Sequence, residues 1–157
     1  MELSKEIIEA LQDPQKVKTL TTVNQEGAAH SVPIGYMNVL EDGNIAFMEL
    51  LDTSKTQKNM LNCCWFEKDV SILVFDNWAE GKVYQIKGKP YKFLIFGPVW
   101  DQFLEGTWQM LPDADPSGVW LITPKEVRDQ NYFTRRTAEE ERRANWSRWN
   151  TLKGNRG

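Results

Sequence analysis

The sequence contains a single histidine, His30, and only two cysteines, the adjacent Cys63 and Cys64. A single histidine cannot form a His-rich metal site, and it makes a Ser-His-Asp hydrolase an unfavoured interpretation. Two adjacent cysteines match neither a zinc site nor a redox CxxC motif, so we expect small buried or half-buried thiols. We therefore predict no metal site.

The sequence also lacks any run of about 18 apolar residues, which excludes a membrane-spanning helix. Its first residues, "MELSKEIIEALQD", are amphipathic and acidic, unlike a signal peptide, so a cytoplasmic location is expected. The 157 residues suit one domain with one core.

Basic residues are unevenly distributed along a chain of net charge −3. From Arg135 onward, seven basic residues accompany three acidic ones, which gives +4 there and −7 over residues 1–134. The basic segment from Arg135 onward could bind nucleic acid or the acidic remainder of the protein. The negative net charge of residues 1–134 argues against a nucleic-acid-binding domain. We predict a domain over residues 1–134 and a helical extension over 135–157 that packs on the domain or on a dimer partner.

Six segments have the residue pattern of β-strands. They are residues 16–24, 28–40, 45–51, 69–76, 82–96 and 117–124. Pro33 cannot donate to a strand ladder and marks an edge or a bulge, while Gly88 and Pro90 predict a bend in the fifth strand. Two turns ending in or containing glycine, "NQEG" and "EDGN", predict hairpins.

Four helices are expected between and around these strands. Ser4 caps the first, which Asp13-Pro14 ends; a short second helix closes at Met60 and Leu61; "GPVWDQFLEGTWQML" forms the third. A capping box of Thr137 and Glu140 starts a fourth that runs to about Leu152. Strands joined by short hairpins favour a small antiparallel barrel over a parallel α/β fold.

The stretch "LLDTSKTQKNM" combines hydroxyl groups and an ammonium group at the expected start of the second helix. Thr53, Ser54, Lys55 and Thr56 (hereafter the 53–56 segment) could hold a phosphate together with the unpaired N–H groups of a helix N-terminus. The alternative is that Thr53 or Ser54 only caps the helix and Lys55 is solvated.

Motifs before, within and after this stretch follow in a definite order. A threonine-rich strand with a V-P pair precedes it, Lys55 to Asn59 form a K-T-x-x-N element, and "VYQIKG" follows at residues 83–88. Over residues 5–95 this order resembles the FMN-binding split barrels related to pyridoxamine 5′-phosphate oxidase, and "VWLITPKEV" resembles their closing strand. The resemblance implies a mainly β fold, a six-stranded antiparallel split β-barrel of Greek-key type with peripheral helices.

The resemblance also implies a homodimer with FMN at the subunit interface. In such proteins the strand holding Ser31, Val32, Pro33 and Ile34 runs along the isoalloxazine ring, largely through main-chain groups. Met48 and Glu49 would add backbone contacts, the 53–56 segment would hold the phosphate, and Asn59 completes the implied cofactor-binding set. The residues that bind substrate phosphate in pyridoxamine 5′-phosphate oxidases are not recognisable here, so that particular activity is not implied.

Three tryptophans, Trp100, Trp108 and Trp120, lie in a segment where such proteins often place an aromatic side chain beside the flavin. A position in the core or at a dimer contact is the favoured interpretation for most of them. Trp146 and Trp149 lie three residues apart on the expected last helix beside several arginines, where packing across the dimer is favoured over stacking on nucleic-acid bases.

Several functions are compatible with these residues. A flavoenzyme would move electrons between a nicotinamide or other donor and a small acceptor on FMN, with no catalytic side chain evident. A non-catalytic FMN-binding electron carrier or flavin-storage protein would need the same site. A deazaflavin or haem, the latter with His30 as the available ligand, is a third possibility, and a nucleic-acid-binding barrel is the least favoured.

Overall fold

The computed structural model describes residues 1–143, and predictions that concern residues 144–157 lie outside them. The helices are α1 (Lys5–Gln12), α2 (Lys55–Trp65), α3 (Pro98–Met110) and α4 (Tyr132–Arg142). The strands are β1 (Val17–Val23), β2 (Ala29–Pro33), β3 (Asn38–Val39), β4 (Ile45–Glu49), β5 (Val70–Phe75), β6 (Val83–Leu94) and β7 (Gly118–Asp129). Within the described residues no helix is long and apolar enough to cross a membrane.

All seven strands join one antiparallel sheet in the order β2-β1-β5-β6-β7-β4-β3. The sequence predicted six, and that count was wrong because the second predicted strand is interrupted after Pro33. The chain leaves the ladder after Ile34 donates to the carbonyl of Lys18 at 2.9 Å, and it returns as the separate strand β3. The remaining strands and both predicted hairpin turns are confirmed, with Gly27 and Gly43 at positive φ.

The predicted bend in the long fifth strand is confirmed within β6. Its register with β7 shifts between Lys87 and Gly88 and again between Pro90 and Lys92. A Cβ on Gly88 would lie 2.7 Å from both Ile122 Cγ2 and the Thr123 carbonyl oxygen. The bend therefore depends on a residue without a side chain at this crossing.

Two apolar clusters fill the space on the two sides of the sheet. The larger packs α1 and α2 against one face, with Leu20, Phe47 and Met60 among its fully buried members. The smaller lies under α3 and contains Phe103 and Val119. The helices thus occupy opposite faces, and α2 lies on the face that holds the main core.

Two helix boundaries differ from the sequence predictions. Helix α2 extends to Trp65 instead of ending at residues 60–61, because Asn62 and Cys63 both contact the carbonyl of Val23 and hold another turn. Helix α4 starts at Asn131, whose side chain accepts from two backbone N–H groups, so the predicted capping box at Thr137 was wrong. The predicted cap at Ser4 and the predicted opening of α3 by Pro98 are confirmed, and the division at residue 134 stays a prediction.

We predict that Gly88→Ala lowers the free energy of unfolding by about 1–3 kcal/mol, because an added methyl group must displace Ile122 or the β7 backbone. Urea denaturation followed by circular dichroism measures the change. Gly106→Ala is the matched control: a methyl group added there in α3 would have no atom within 4 Å, so it should leave stability unchanged or raise it. Equal stability of both variants would show that the crossing at Gly88 tolerates a side chain.

Candidate functional site

The start of α2 is an N-cap of the common serine type. Ser54 has extended backbone angles, and its hydroxyl oxygen accepts from the N–H of Gln57 at 2.9 Å. The capping alternative weighed from the sequence is therefore confirmed for Ser54. A hydroxyl that accepts one bond retains its own proton, so the same group can still donate to an anion.

The rest of the 53–56 segment surrounds this cap. Thr53 lies in the preceding turn and is exposed, Lys55 is the first helical residue and is exposed, and Thr56 is buried. The N–H groups of the first helical turn have no partner within the helix, and the helix dipole adds partial positive charge there. Backbone donors, a hydroxyl and an ammonium group therefore come together at one helix end.

Three hydrogen bonds fix the loop between β4 and α2. The carbonyl of Glu49 accepts from the N–H of Ser117 at 2.9 Å, and the Glu49 carboxylate accepts from the N–H of Leu51 at 3.0 Å. Asp52 accepts from the Ser117 hydroxyl at 2.6 Å. The helix start is consequently held in place before any ligand arrives. Of the three residues whose side chains take part, Glu49 belongs to the predicted cofactor-binding set, whereas Asp52 and Ser117 were not predicted to take part.

On its inner side, α2 is tied to β1. The buried Asn59 side chain donates to the hydroxyl of Thr22 at 3.1 Å, and Asn62 donates to the carbonyl of Val23 at 3.1 Å. Asn59 was predicted to belong to the cofactor-binding set. The amide nitrogen of Asn59 donates to Thr22, so this residue positions the helix, and its contact with a cofactor stays a prediction.

A second hydrogen bond links α2 to the other half of the sheet, at strand β7. The indole N–H of Trp120 on β7 donates to Gln57 at 2.7 Å, and Trp120 lies opposite Phe47 on β4 in the strand register. Trp120 is fully buried, in agreement with the core position favoured for most of the tryptophans. Gln57 was missed, because a glutamine inside a polar stretch carries no sequence signal of burial.

The β2 residues divide between the two faces of the sheet. Ser31 and Pro33 lie opposite Thr21 and Thr19, and both are exposed, whereas Val32 and Ile34 pack against the main core. The Ser31 and Thr21 hydroxyls are 2.6 Å apart. Because β2 is an edge strand, alternate main-chain groups point away from β1 and are available to a ligand.

The two tryptophans near α3 have different surroundings. Trp100 is half-buried and packs, together with Met48, in the small cluster beneath α3. Trp108 is half-exposed, and its indole N–H donates to the carbonyl of Ala114 at 3.0 Å. Trp100 therefore has the packing position favoured from sequence, and Met48 has its side chain turned toward α3.

The charges around the helix start come from Lys55 and Lys58 on one side and from Asp52 and the buried Glu49 on the other. A third cation, Lys18, is buried elsewhere: its ammonium group donates to the carbonyls of Asp13 at 2.6 Å and Lys16 at 3.1 Å. Burial lowers the pKa of Lys18. This lysine stabilises the end of α1 and is not available to a ligand at α2.

No protein-family model matches the chain, and no curated protein matches it. Solved structures do share its fold, at identities that show the fold alone. A proposed pyridoxamine 5′-phosphate oxidase from Lactobacillus delbrueckii is 17% identical, with 81% of this chain and 93% of that chain covered and a TM-score of 0.62. An FMN-binding protein from Syntrophomonas wolfei is 11% identical, with coverages of 80% and 87% and a TM-score of 0.60.

The haem storage protein HutZ from Vibrio cholerae is 14% identical, with coverages of 82% and 95% and a TM-score of 0.56. The predicted mainly β, antiparallel split-barrel fold is thereby confirmed, with the strand count corrected to seven over residues 1–143. The chain has the fold of pyridoxamine 5′-phosphate oxidase-like and FMN-binding split barrels.

We predict that Asn59→Ala lowers the free energy of unfolding by about 1–3 kcal/mol, because it leaves the buried Thr22 hydroxyl without its donor. In a double-mutant cycle with Thr22→Val, the two substitutions should be less than additive, since either one removes the same bond. Chemical denaturation of the four proteins gives the coupling. Strict additivity would mean that the two side chains do not interact.

Proposed function

We propose that this chain binds FMN, with the phosphate at the start of α2 and the isoalloxazine ring along β2. One observation carries the proposal: the N-terminus of α2 presents Ser54, Lys55 and free helix N–H groups, and the same helix is tied to β1, the partner strand of β2. The cofactor of similarly folded FMN-binding proteins supports this choice.

The donors at the helix start suit a phosphate group. The Ser54 hydroxyl, the N–H groups of Lys55 and Thr56 and the Lys55 ammonium group can all donate, whereas the Gln57 N–H is taken by the cap. Charge-assisted bonds of this kind are the strong ones. Lys58 lies one turn further along the helix and adds positive charge. Asp52 would oppose an anion, but its bond to Ser117 restrains its carboxylate.

The isoalloxazine ring would use the main chain of β2. Ser31 and Pro33 are exposed at this edge strand, and the chain leaves the ladder just after Pro33, which has no N–H to donate. Main-chain groups of Ser31 to Pro33 that β1 leaves unpaired could then pair with the polar edge of the flavin, whereas the Ile34 N–H already donates to the carbonyl of Lys18. Glu49 would contribute through the backbone at the end of β4, close to the start of α2.

We also propose that the chain forms a homodimer that completes the flavin site. Exposed apolar residues follow the ends of β4 and β6, the two strands that flank the start of β7. They include Leu51 at 66% exposure, Ile95 at 60% and Phe96 at 80%. Large apolar side chains exposed at the same end of the sheet favour a protein–protein contact there.

FMN, when bound, supplies the redox chemistry, and the protein's own part is to bind and orient it. We propose an oxidoreductase that acts on a small molecule; an electron carrier or flavin-storage protein would have the same site. Turnover of NADH or NADPH with candidate acceptors would support the enzyme. A flavin that is reduced and reoxidised only by other proteins would support the carrier.

Haem is the second candidate, because a haem storage protein has the same fold. His30 is the one histidine of the chain, half-buried, and lies opposite Thr22 beside α2. Haem binding that is lost in His30→Ala would favour this alternative over a flavin.

We predict that Lys55→Ala combined with Thr56→Ala lowers the flavin content of the purified protein at least about tenfold, because the phosphate loses its charge-assisted contacts. Absorbance near about 450 nm relative to protein gives the flavin content. Lys5→Ala is the matched control, since it removes one exposed lysine from α1 and should retain the cofactor. Full flavin content in the double variant would exclude the start of α2 as the phosphate site.

We predict that Phe96→Glu shifts the protein from dimer to monomer in sedimentation equilibrium, because it places a charge in the proposed apolar contact. Trp65→Glu is the control: Trp65 is 82% exposed at the far end of α2 and should leave assembly unchanged. If wild type and Phe96→Glu have the same mass, these residues do not form the contact.

A further inference from the structure

A row of polar side chains crosses the sheet from the edge strand β2 to strand β6. Ser31 on β2 pairs with Thr21 on β1, and Thr21 pairs with Ser71 on β5. Ser71 in turn pairs with Lys87 on β6. Because directly paired residues of antiparallel strands project from the same face of a sheet, these four side chains lie side by side (hereafter the polar row).

The polar row lies on the face of the sheet opposite the main core. Its neighbours along β1, β5 and β6 are Leu20, Ile72 and Ile86, which are buried members of that core. Successive residues of a strand project from opposite faces, so the row points away from the core. Within the row, Ser31 is exposed and the other three side chains are half-buried, which leaves each of them partly accessible.

The polar row has hydrogen-bond donors that the described residues leave unused. The Ser31 and Thr21 hydroxyl oxygens are 2.6 Å apart, so one group donates to the other and the accepting group retains its own proton for a ligand. Within residues 1–143, the Ser71 hydroxyl and the Lys87 ammonium group have no hydrogen-bond or ion-pair partner. The row therefore offers hydroxyl donors and one ammonium group together.

Lys87 carries the positive charge of the polar row. Its partner on β7 is Glu126, whose carboxylate accepts from the guanidinium group of Arg128. The Glu126–Arg128 pair is neutral as a whole, which leaves Lys87 as the unpaired charge on this part of the face. An ammonium group beside hydroxyl donors favours a carboxylate or another oxyanion.

The strand spacing places this ammonium group at a suitable distance from the proposed flavin site. Ser31 lies on the strand along which we propose the isoalloxazine ring, and Lys87 is three strands away, about 14 Å at about 4.8 Å per strand. The flexible four-carbon stem of the lysine can shorten that span. The space over Thr21 and Ser71 therefore suits a small molecule between the ring and the ammonium group.

We infer that Lys87 binds the anionic group of the molecule that exchanges electrons with the flavin, with Ser71 as a further donor. The substrate class is then a small anion such as a carboxylate. The inference rests on the proposed flavin site along β2, and it makes Lys87 a residue that determines substrate specificity without holding the flavin.

Reoxidation of the reduced, FMN-reconstituted protein by two acceptors of different charge tests this role. Ferricyanide is a trianion and benzoquinone is uncharged, and a reduced flavin passes its two electrons to two ferricyanide ions or to one benzoquinone molecule. Lys87→Met should lower the second-order rate constant with ferricyanide by about threefold or more, because the local attraction of the anion is lost. The rate constant with benzoquinone and the flavin content should match wild type.

Two further variants serve as controls in the same experiment. Lys87→Arg keeps the charge and should retain the wild-type rate constant with ferricyanide. Lys5→Met removes the same charge from α1, on the other face of the sheet, and should leave both rate constants unchanged.

Equal ferricyanide rate constants for wild type and Lys87→Met, in proteins that both contain flavin, would overturn the inference and leave the flavin site in place. A parallel fall with both acceptors would also overturn it, because Lys87 would then act on the flavin and not on a bound anion. A protein that takes up no FMN would overturn the proposed function and this inference with it.

Discussion

Helix α2 is the element on which the rest of the structure depends, because its polar side chains bond to both halves of the sheet. Asn59 reaches β1 through Thr22, and Gln57 reaches β7 through Trp120, while Met60 fills the core between them. A buried polar group is costly unless it is paired, so these bonds fix the position and rotation of the helix. The same rotation places the Ser54 cap and Lys55 at the surface.

This arrangement explains how a structural helix can also present a binding site. The loop before α2 is held by Glu49, Asp52 and Ser117, so the donors at the helix start are positioned independently of a ligand. A site that is already in place loses less conformational entropy on binding. The core side of α2 therefore provides stability, and its N-terminus remains available for recognition.

Much of the architecture could be predicted from the sequence, because strand alternation, glycine turns and the V-P pair act locally. The bend at Gly88 and the cap at Ser4 were of this kind. The extra strand β3 could not be predicted, since a strand of two residues has no recognisable periodicity. The start of α4 could not be predicted either, because the capping role of Asn131 becomes evident only once the end of strand β7 is known. At the candidate site, Ser54 and Lys55 could be predicted because a hydroxyl and an ammonium group at a helix start suit an anion. Gln57 and Ser117 could not, because their roles depend on hydrogen bonds to residues distant in sequence.

The fold alone leaves the ligand open, because proteins of this architecture include an FMN-binding protein and a haem storage protein. The choice of FMN depends on the helix start, whose hydroxyl, ammonium and N–H donors suit a phosphate. The most direct test is the visible spectrum of the purified protein after reconstitution with FMN, followed by identification of the released cofactor. We expect a flavin spectrum with a maximum near about 450 nm and release of FMN on denaturation. A protein that stays colourless with FMN, or that binds haem instead, would contradict the proposal.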